Sequence, residues 1–156
     1  MENVRERHIA WSNSFSMKMK VIDDQHKGLV DFVNGLFDHS SGDAVAERAY
    51  FKEVIQQAIK YVKVHFATEE QYMMATKFSG YAEHKKIHDE FILTIVKTVK
   101  DYEAEKRMVL EKFAFFLRDW ILSHIAIMDK QYSEYFWKIA TRKPDGKLSI
   151  TREDIE

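Results

Sequence analysis

Hydrophobic side chains recur at steps of three and four residues along most of the chain, which is the spacing of one face of an α-helix. In the first such stretch, residues 20–39, the inward positions are Ile22, His26, Leu29, Val33 and Leu36. A loop-forming Ser-Ser-Gly-Asp cluster follows, and residues 44–75 then repeat the pattern. The inward positions of this second stretch are Val54, Ala58, Tyr61, His65, Glu69 and Tyr72. The pattern predicts two consecutive amphipathic helices.

Two further helices are predicted between residues 81 and 137, where no Gly or Pro interrupts the chain. One unbroken helix there would be about 85 Å long at ~1.5 Å per residue, too long for a small domain, so we place a turn at residues 101–107. The inward positions of the third and fourth helices are His84, His88, Phe91, Ile95 and Val99, then Phe113, Leu117, Trp120, His124 and Ile127. Four such helices joined by short loops predict an all-α, antiparallel up-down four-helix bundle.

The composition fits one domain and argues against several classes of partner. The 156 residues are 46% hydrophobic, so we assign residues 1–140, including an irregular N-terminal arm at 1–18, to one bundle domain and residues 141–156 to a polar C-terminal extension. The 24 basic and 25 acidic residues are spread along the chain, which disfavours nucleic-acid and membrane binding. The absence of cysteine excludes disulfides and thiolate ligands, and without a signal-like segment we expect a cytoplasmic protein.

Five of the seven histidines occupy inward positions, where an imidazole is costly unless its ring nitrogens have partners. His65 and Glu69 are four residues apart, as are His84 and His88, so each pair lies on one helix face and can converge on one centre. The inward histidines of the first and fourth helices face the same core. The pattern therefore predicts a buried metal site.

Asp129 is the least regular of the candidate ligands. It follows His124 by five residues, which rotates it by roughly 140° on a helix of 3.6 residues per turn. Either its side chain reaches sideways into the bundle, or the helix widens locally into a single wide turn of the kind found at functional sites. Taken alone, an acid at this position is typical of a solvated surface.

Several motifs together resemble those of bacterial hemerythrins over residues 11–132. They are Trp11, the run IDDQHK at 22–27, the run HFATEE at 65–70, the pair His84 and His88, and the run WILSHI at 120–125 with Asp129. All seven ligand positions of that family carry the expected residue type in the expected order. The resemblance implies that one iron is bound by three histidines and the other by two, with two carboxylates that bridge both. The three histidines are His84, His88 and His124, the two are His26 and His65, and the bridging carboxylates are Glu69 and Asp129.

The cofactor implied by the resemblance is a pair of iron ions, Fe²⁺ or Fe³⁺, joined by an oxo or hydroxo bridge. Counting that bridge, one iron has six ligands and the other five, and the open position is what reversible dioxygen binding needs. The resemblance thus implies oxygen storage, transport, delivery or sensing rather than an enzyme, and it requires no catalytic residue. We expect dioxygen as the ligand, an unknown protein recipient or signalling partner, and a monomer or homo-oligomer.

Apolar residues next to the candidate ligands match the oxygen pocket of that family. They are Leu29, Phe66, Phe91, Trp120 and Ile125. Each of them is equally typical of an ordinary bundle core, and together they would keep the pocket dry. Tyr132, one turn beyond Asp129, is expected to pack near the site or to hydrogen-bond to a ligand, whereas we interpret Glu70 as an exposed surface acid.

Three rival assignments of the buried histidines fit the sequence less well. A single zinc ion takes four ligands, which would leave three candidates buried without partners. Ferritin-like di-iron enzymes use Glu-x-x-His pairs, and none of the chain's histidines has Glu three residues before it. A metal-free structural bundle does not explain why the candidates converge. We keep a di-iron enzyme that reduces peroxide or nitric oxide as the alternative.

Overall fold

The computed structural model describes residues 7–104 and 109–140, with the backbone alone at residue 140, and all regular structure in these ranges is helical. The elements are a 3₁₀ turn at Asn13–Phe15, α1 (Lys20–Asp38), α2 (Ala44–Ala75), α3 (Tyr81–Glu103), α4 (Leu110–Ser123), a π-helical turn at His124–Asp129, and α5 (Lys130–Ala140). The last three follow one another without a break and form the fourth rod of the bundle. The predicted all-α four-helix bundle is confirmed, while the predicted C-terminal extension lies outside the described residues.

Helix α1 packs against α2 and α4, and α2 also packs against α3. All five predicted inward positions of α1 and all five of α3 are buried, because each of these helices carries a single continuous apolar stripe. The predicted turn between the third and fourth helices is borne out to the extent that α3 ends at Glu103 and α4 begins at Leu110. Within the described part of the chain, none of the helices has an apolar stretch of the length that a membrane crossing requires.

Two predicted inward positions are wrong. Tyr61 is 39% exposed because it lies at the edge of the α2 stripe, with its ring over Gly28, where a Cβ atom would collide with the tyrosine hydroxyl. From there the Tyr61 hydroxyl donates a hydrogen bond to the backbone carbonyl of Gln25, 3.0 Å away. Ile127 is exposed because it lies within the π-helical turn, which shifts the following positions out of the α-helical repeat.

The loop between α1 and α2 is tied to the start of α4. Gly42 has a φ of +85°, which favours glycine, and the Asp43 side chain then accepts hydrogen bonds from two backbone N–H groups of the first turn of α2. The carboxylate of Glu47, which is buried, accepts from the N–H of Gly42 at 2.7 Å and from the N–H of Leu110 at 3.3 Å. One side chain therefore satisfies donors in two separate connections at this end of the bundle.

The N-terminal arm packs against α5. The backbone carbonyl of Met17 accepts hydrogen bonds from Trp137 Nε1 at 2.9 Å and from Ser133 Oγ at 3.0 Å. The Lys130 ammonium donates to the carbonyl of Ser16 at 2.9 Å. These contacts hold α5 against the rest of the bundle.

Candidate metal centre

The structure brings all seven predicted ligands together in the core, and each of these residues is at most 4% exposed. They come from every rod of the bundle: His26 from α1, His65 and Glu69 from α2, His84 and His88 from α3, and His124 and Asp129 from the π-helical turn. Their ligand atoms form two groups, and within each group all atoms lie within 4.8 Å of one another. One group contains His84, His88 and His124, the other contains His26 and His65, and both contain Glu69 and Asp129.

Glu69 divides its two carboxylate oxygens between the groups. Its Oε1 lies 3.2 Å from His26 Nε2 and 3.1 Å from His65 Nε2. Its Oε2 lies 3.2 Å from His88 Nε2 and 3.9 Å from His84 Nε2. This is the arrangement of a carboxylate that can bridge two ions.

Asp129 divides its oxygens in the same way. Its Oδ2 lies 3.1 Å from His26 Nε2, whereas its Oδ1 lies 3.0 Å from His84 Nε2 and 3.1 Å from His124 Nε2. The π-helical turn makes this possible, because its hydrogen bonds join residues five apart and so bring positions 124 and 129 to one face. Of the two geometries that the sequence left open, the locally widened helix is therefore the correct one.

The spacing of the histidine nitrogens fits a metal ion with octahedral ligands. His124 Nε2 lies 3.0 Å from His88 Nε2 and 3.2 Å from His84 Nε2. Nitrogens at about 2.1 Å from one ion are about 3.0 Å apart when they subtend 90°, and about 3.4 Å apart at the tetrahedral angle. A single Nε2–H proton can form a hydrogen bond across only one of these two contacts, whereas a cation between the three nitrogens interacts favourably with all of them.

The carboxylate oxygens give a second indication of a cation. Among the described residues, Glu69 Oε2 and both oxygens of Asp129 are buried without a hydrogen-bond partner, although imidazole nitrogens lie within 3.2 Å of each. Buried carboxylate oxygens are costly without hydrogen bonds or a metal ion. Short distances without hydrogen-bond directions are expected when several ligands point at a common ion. The donor set, imidazole nitrogen with carboxylate oxygen, is one that divalent transition metals accept.

Histidines and carboxylates of the site stabilise each other's charged forms. Burial lowers the pKa of His26, but the neighbouring carboxylates of Asp129 and Glu69 outweigh it and raise that pKa to about 9. Burial raises the pKa of Glu69, yet the charge of His65 and hydrogen bonds from the surrounding imidazoles hold it well below its usual range. The pKa of Asp129 is also lowered, because interactions with His124 and His26 overcome burial and the repulsion from Glu69. The site thus holds two carboxylates ionised, ready to neutralise a cation.

Three residues around the ligands complete the site. The Tyr132 hydroxyl donates to Glu69 Oε1 at 3.3 Å, which confirms the predicted position of Tyr132. Burial and the two carboxylates raise the pKa of Tyr132 well above its usual value, so the hydroxyl keeps its proton. The prediction for Glu70 is wrong, because its side chain is only 14% exposed and accepts a hydrogen bond from His88 Nδ1 at 3.1 Å. Gln25, which the sequence did not single out, accepts from His65 Nδ1 at 2.7 Å.

An apolar cavity of about 30 Å³ lies in the bundle beside the ligands. Four of the five predicted pocket residues line it: Leu29, Phe66, Phe91 and Trp120. Ile125 is buried but does not line the cavity, whereas Ile121, which the sequence motifs did not single out, does. The signal for Ile121 is its place three residues before His124, one helical turn away. The wall also continues away from the site, along residues of all four rods.

Aromatic rings join the cavity wall to the histidines. The Phe66 ring stacks on the His88 ring with centroids 3.7 Å apart, and the Trp120 ring stacks on the His124 ring with centroids 4.4 Å apart. Trp120 also stacks on Phe91, with centroids 3.7 Å apart. These stacks fix the imidazole planes and cover them with hydrocarbon.

The fold and the site together define a class of protein, the four-helix bundle with a buried dinuclear metal centre built from histidines and shared carboxylates. Residues 17–136 match a family model described as Hemerythrin HHE cation binding domain. The chain belongs to the hemerythrin family, as the sequence motifs indicated.

Similar proteins agree with this assignment. The chain is 32% identical to Bacteriohemerythrin of Methylococcus capsulatus over 118 residues, covering 76% of this chain and 88% of that protein. It is also 32% identical to Bacteriohemerythrin of Pseudomonas aeruginosa over 125 residues, covering 80% of this chain and 79% of that one. Among solved structures, a wild-type hemerythrin crystal structure superimposes with a TM-score of 0.73 at 30% identity, covering 81% of this chain and 95% of the other.

Proposed function

We propose that this protein binds dioxygen reversibly at a non-haem di-iron centre. The observation that carries the proposal is the division of both buried carboxylates between two groups of histidines. Seven convergent ligands with two of them shared suit two ions and exceed what one ion can use. The similarity to bacteriohemerythrins and to a myohemerythrin supports iron as the metal and oxygen as the ligand.

The ligand assignment that follows has three histidines in one group and two in the other. One iron would be held by His84, His88 and His124, the other by His26 and His65, and both by Glu69 and Asp129. The second group is therefore one protein ligand short of the first. A position without a protein ligand is the place where a small molecule can reach the metal pair.

The residues around the ligands bind, orient and exclude water rather than transfer protons. The bound iron pair would supply the electron exchange that reversible dioxygen binding needs. Tyr132 holds one oxygen of Glu69, while Phe66 and Trp120 cover the imidazoles of His88 and His124 with aromatic carbon. An apolar cavity of about 30 Å³ has room for a diatomic molecule, and its hydrocarbon wall does not offer hydrogen bonds to water.

The alternative, a di-iron enzyme that reduces peroxide or nitric oxide, uses the same ligands. The names of the similar proteins do not favour it. We propose that the chain is not an enzyme, that its partner is dioxygen, and that storage, transport, delivery or sensing is its use. The cytoplasmic location, the division into residues 1–140 and 141–156, and the choice between monomer and homo-oligomer stay predictions.

The test is reconstitution of the metal-free protein with iron(II) under argon, followed by metal analysis and visible spectroscopy through cycles of air and argon. We expect two irons per chain and a visible absorption that appears in air and disappears under argon. In the Asp129→Asn variant we expect loss of at least one iron and of the reversible colour. The matched control is Asp119→Asn, which changes an exposed acid on the same rod.

Three outcomes would contradict the proposal. One iron or none per chain in the unmodified protein would exclude the dinuclear centre. Irreversible bleaching in air, or steady consumption of peroxide or nitric oxide with an electron donor, would favour the enzyme. Equal iron content in Asp129→Asn and Asp119→Asn would show that Asp129 is not a ligand.

A further inference from the structure

The two histidine groups have different partners at the outer edge of their rings. In the two-histidine group, His65 Nδ1 donates to the side-chain oxygen of Gln25 at 2.7 Å. The Gln25 amide nitrogen donates to Thr68 Oγ1 at 3.3 Å, and the Thr68 hydroxyl donates to the carbonyl of Val64 at 2.8 Å. This chain fixes the amide so that its oxygen faces the imidazole. His65 therefore has an uncharged acceptor, which keeps the proton on Nδ1 and leaves Nε2 free for a metal.

In the same group, His26 differs from His65 at its outer ring nitrogen, Nδ1. Its Nδ1 is buried and, among the described residues, has no hydrogen-bond partner. Both imidazoles of this group thus lack a charged partner on the side away from the carboxylates.

In the three-histidine group, His88 has a carboxylate partner instead. His88 Nδ1 donates to Glu70 Oε2 at 3.1 Å, and the Glu70 side chain is 14% exposed. Lys85 Nζ lies 3.6 Å from Glu70 Oε1 and 3.0 Å from a carboxylate oxygen of Asp89, so Glu70 is held between an imidazole and an ammonium. The negative charge of Glu70 therefore lies against a histidine of one group, whereas the contacts described at the outer nitrogens of the other group involve no charged side chain.

We propose that Gln25 and Glu70 are positioning residues that increase the difference between the two metal positions, an inference that rests on the dinuclear centre proposed above. A histidine that donates to a carboxylate is a stronger electron donor to its metal than one that donates to an amide. The ion held with His88 is therefore bound more tightly and has the lower reduction potential of the pair. This charge lies outside the ligand set and adds to the difference that the third histidine already makes, since the bridging carboxylates face both groups.

The experiment uses the full chain loaded first with cobalt(II) under argon, because cobalt(II) accepts the same donors as iron(II) and has visible bands that report its ligand geometry. Chelator competition gives the affinity of each of the two ions. The variants are Glu70→Gln, which keeps an acceptor and removes the charge, and Gln25→Glu, which adds a charge at the other group. The control is Asp89→Asn, which removes a carboxylate that pairs with the same lysine and is not hydrogen-bonded to His88.

We expect Glu70→Gln to weaken one of the two cobalt ions by about 10-fold, within the 10- to 100-fold range typical of such partners, and to leave the other ion nearly unchanged. In the iron-loaded protein, potentiometric titration should show a smaller gap between the two one-electron midpoint potentials in Glu70→Gln and in Gln25→Glu than in the unmodified chain. Asp89→Asn should leave both the affinities and the gap in place. If Glu70→Gln does not fold, judged by its circular dichroism, Gln25→Glu alone tests the same gap.

The outcomes separate this inference from the proposed function. Fewer than two cobalt ions per unmodified chain would overturn the dinuclear centre itself. Two ions per chain with the same affinities and the same gap in Glu70→Gln and Asp89→Asn would overturn the inference and leave the centre standing. Equal weakening of both ions in Glu70→Gln would show that Glu70 acts on the whole cluster and would also overturn it.

Discussion

Trp120 covers the His124 ring and is itself partly exposed, so its removal tests directly whether the apolar residues around the site exclude water. The indole is half-buried, stacks on His124 on one side and on Phe91 on the other, and lines the cavity. We predict that Trp120→Ala keeps both irons, because every ligand remains, but shortens the lifetime of the oxygenated protein. The reason is that water reaches the imidazole face which the indole covered.

The size of the effect follows from the contacts. Each aromatic stack contributes about 0.5–1.5 kcal/mol, and truncation of a large aromatic residue costs about 3–5 kcal/mol in unfolding free energy. Because Trp120 is half-buried we expect about 3 kcal/mol, and a fall in melting temperature of roughly 6–12 °C for a chain of this size. A water molecule in the closed apolar pocket loses hydrogen bonds worth about 1–3 kcal/mol. Opening the pocket to solvent removes this penalty, so water should occupy the site about 5- to 150-fold more often than in the unmodified protein. We therefore expect autoxidation to be at least ~5-fold faster.

The assay follows the decay of the oxygenated visible spectrum in air, with iron content measured before and after. Trp120→Phe keeps a ring against His124 and should decay at a rate between those of Trp120→Ala and the unmodified protein. The control is Phe116→Ala, which removes an exposed aromatic residue one turn earlier that also faces Phe91 but does not line the cavity. An unchanged decay rate in Trp120→Ala, or the same acceleration in Phe116→Ala, would refute the assignment of a dry cover to the indole.

Three other predictions concern different parts of the structure. Glu47→Ala should lower the unfolding free energy by about 3 kcal/mol, and Glu47→Gln by less, because the substitution removes two charge-assisted hydrogen bonds. Neither variant should lose iron, since Glu47 is not one of the ligands. A decrease of less than about 1 kcal/mol for Glu47→Ala in urea unfolding would contradict this prediction. Deletion of Ala126 should turn the π-helical turn into an α-helical one, with His124 and Asp129 four residues apart and still on one face. We therefore expect the deletion variant to bind two irons. Loss of iron would show that the wide turn itself is required. In the metal-free protein, protonated His26 has a pKa of about 9 against 6.5 ordinarily, so its contribution to stability is complete below pH 6.5 and is lost as pH rises through 9. Glu69 and Asp129 have lowered pKa values and stay ionised throughout this pH range, so they do not contribute to the change. Equal urea midpoints at pH 6.5 and pH 10 would contradict the raised pKa of His26.

The helices were predictable because each rod has one dominant apolar stripe. Steps of three and four predict every inward residue of α1 and α3, and the Ser-Ser-Gly-Asp loop cluster predicts the start of α2 at Ala44. Tyr61 was misplaced because hydrophobicity alone does not separate the centre of a wide stripe from its edge. Its position is decided by Gly28 on a neighbouring helix, where a missing side chain makes room for the ring.

The candidate ligands were predictable from sequence for a similar reason, whereas their surroundings were not. The spacing of His65 and Glu69 places both on one face, but it does not say which oxygen faces which group of histidines. Local periodicity predicts a surface acid at Glu70, because the partner of Glu70, His88, lies on another helix and the spacing within α2 does not reveal it. The five-residue step to Asp129 allowed two geometries, and only the backbone of the fourth rod distinguishes them.

The hydrogen bonds between the N-terminal arm and α5 determine which substitutions this contact tolerates. The acceptors are the main-chain carbonyls of Ser16 and Met17, whereas the donors are the side chains of Lys130, Ser133 and Trp137. Every amino acid carries a carbonyl, so replacing the arm's own side chains does not abolish these three links, while replacing a donor on the helix removes one outright. These three hydrogen bonds therefore constrain the residue type on α5 and not in the arm, where it is the buried side chain of Met17 that restricts substitution.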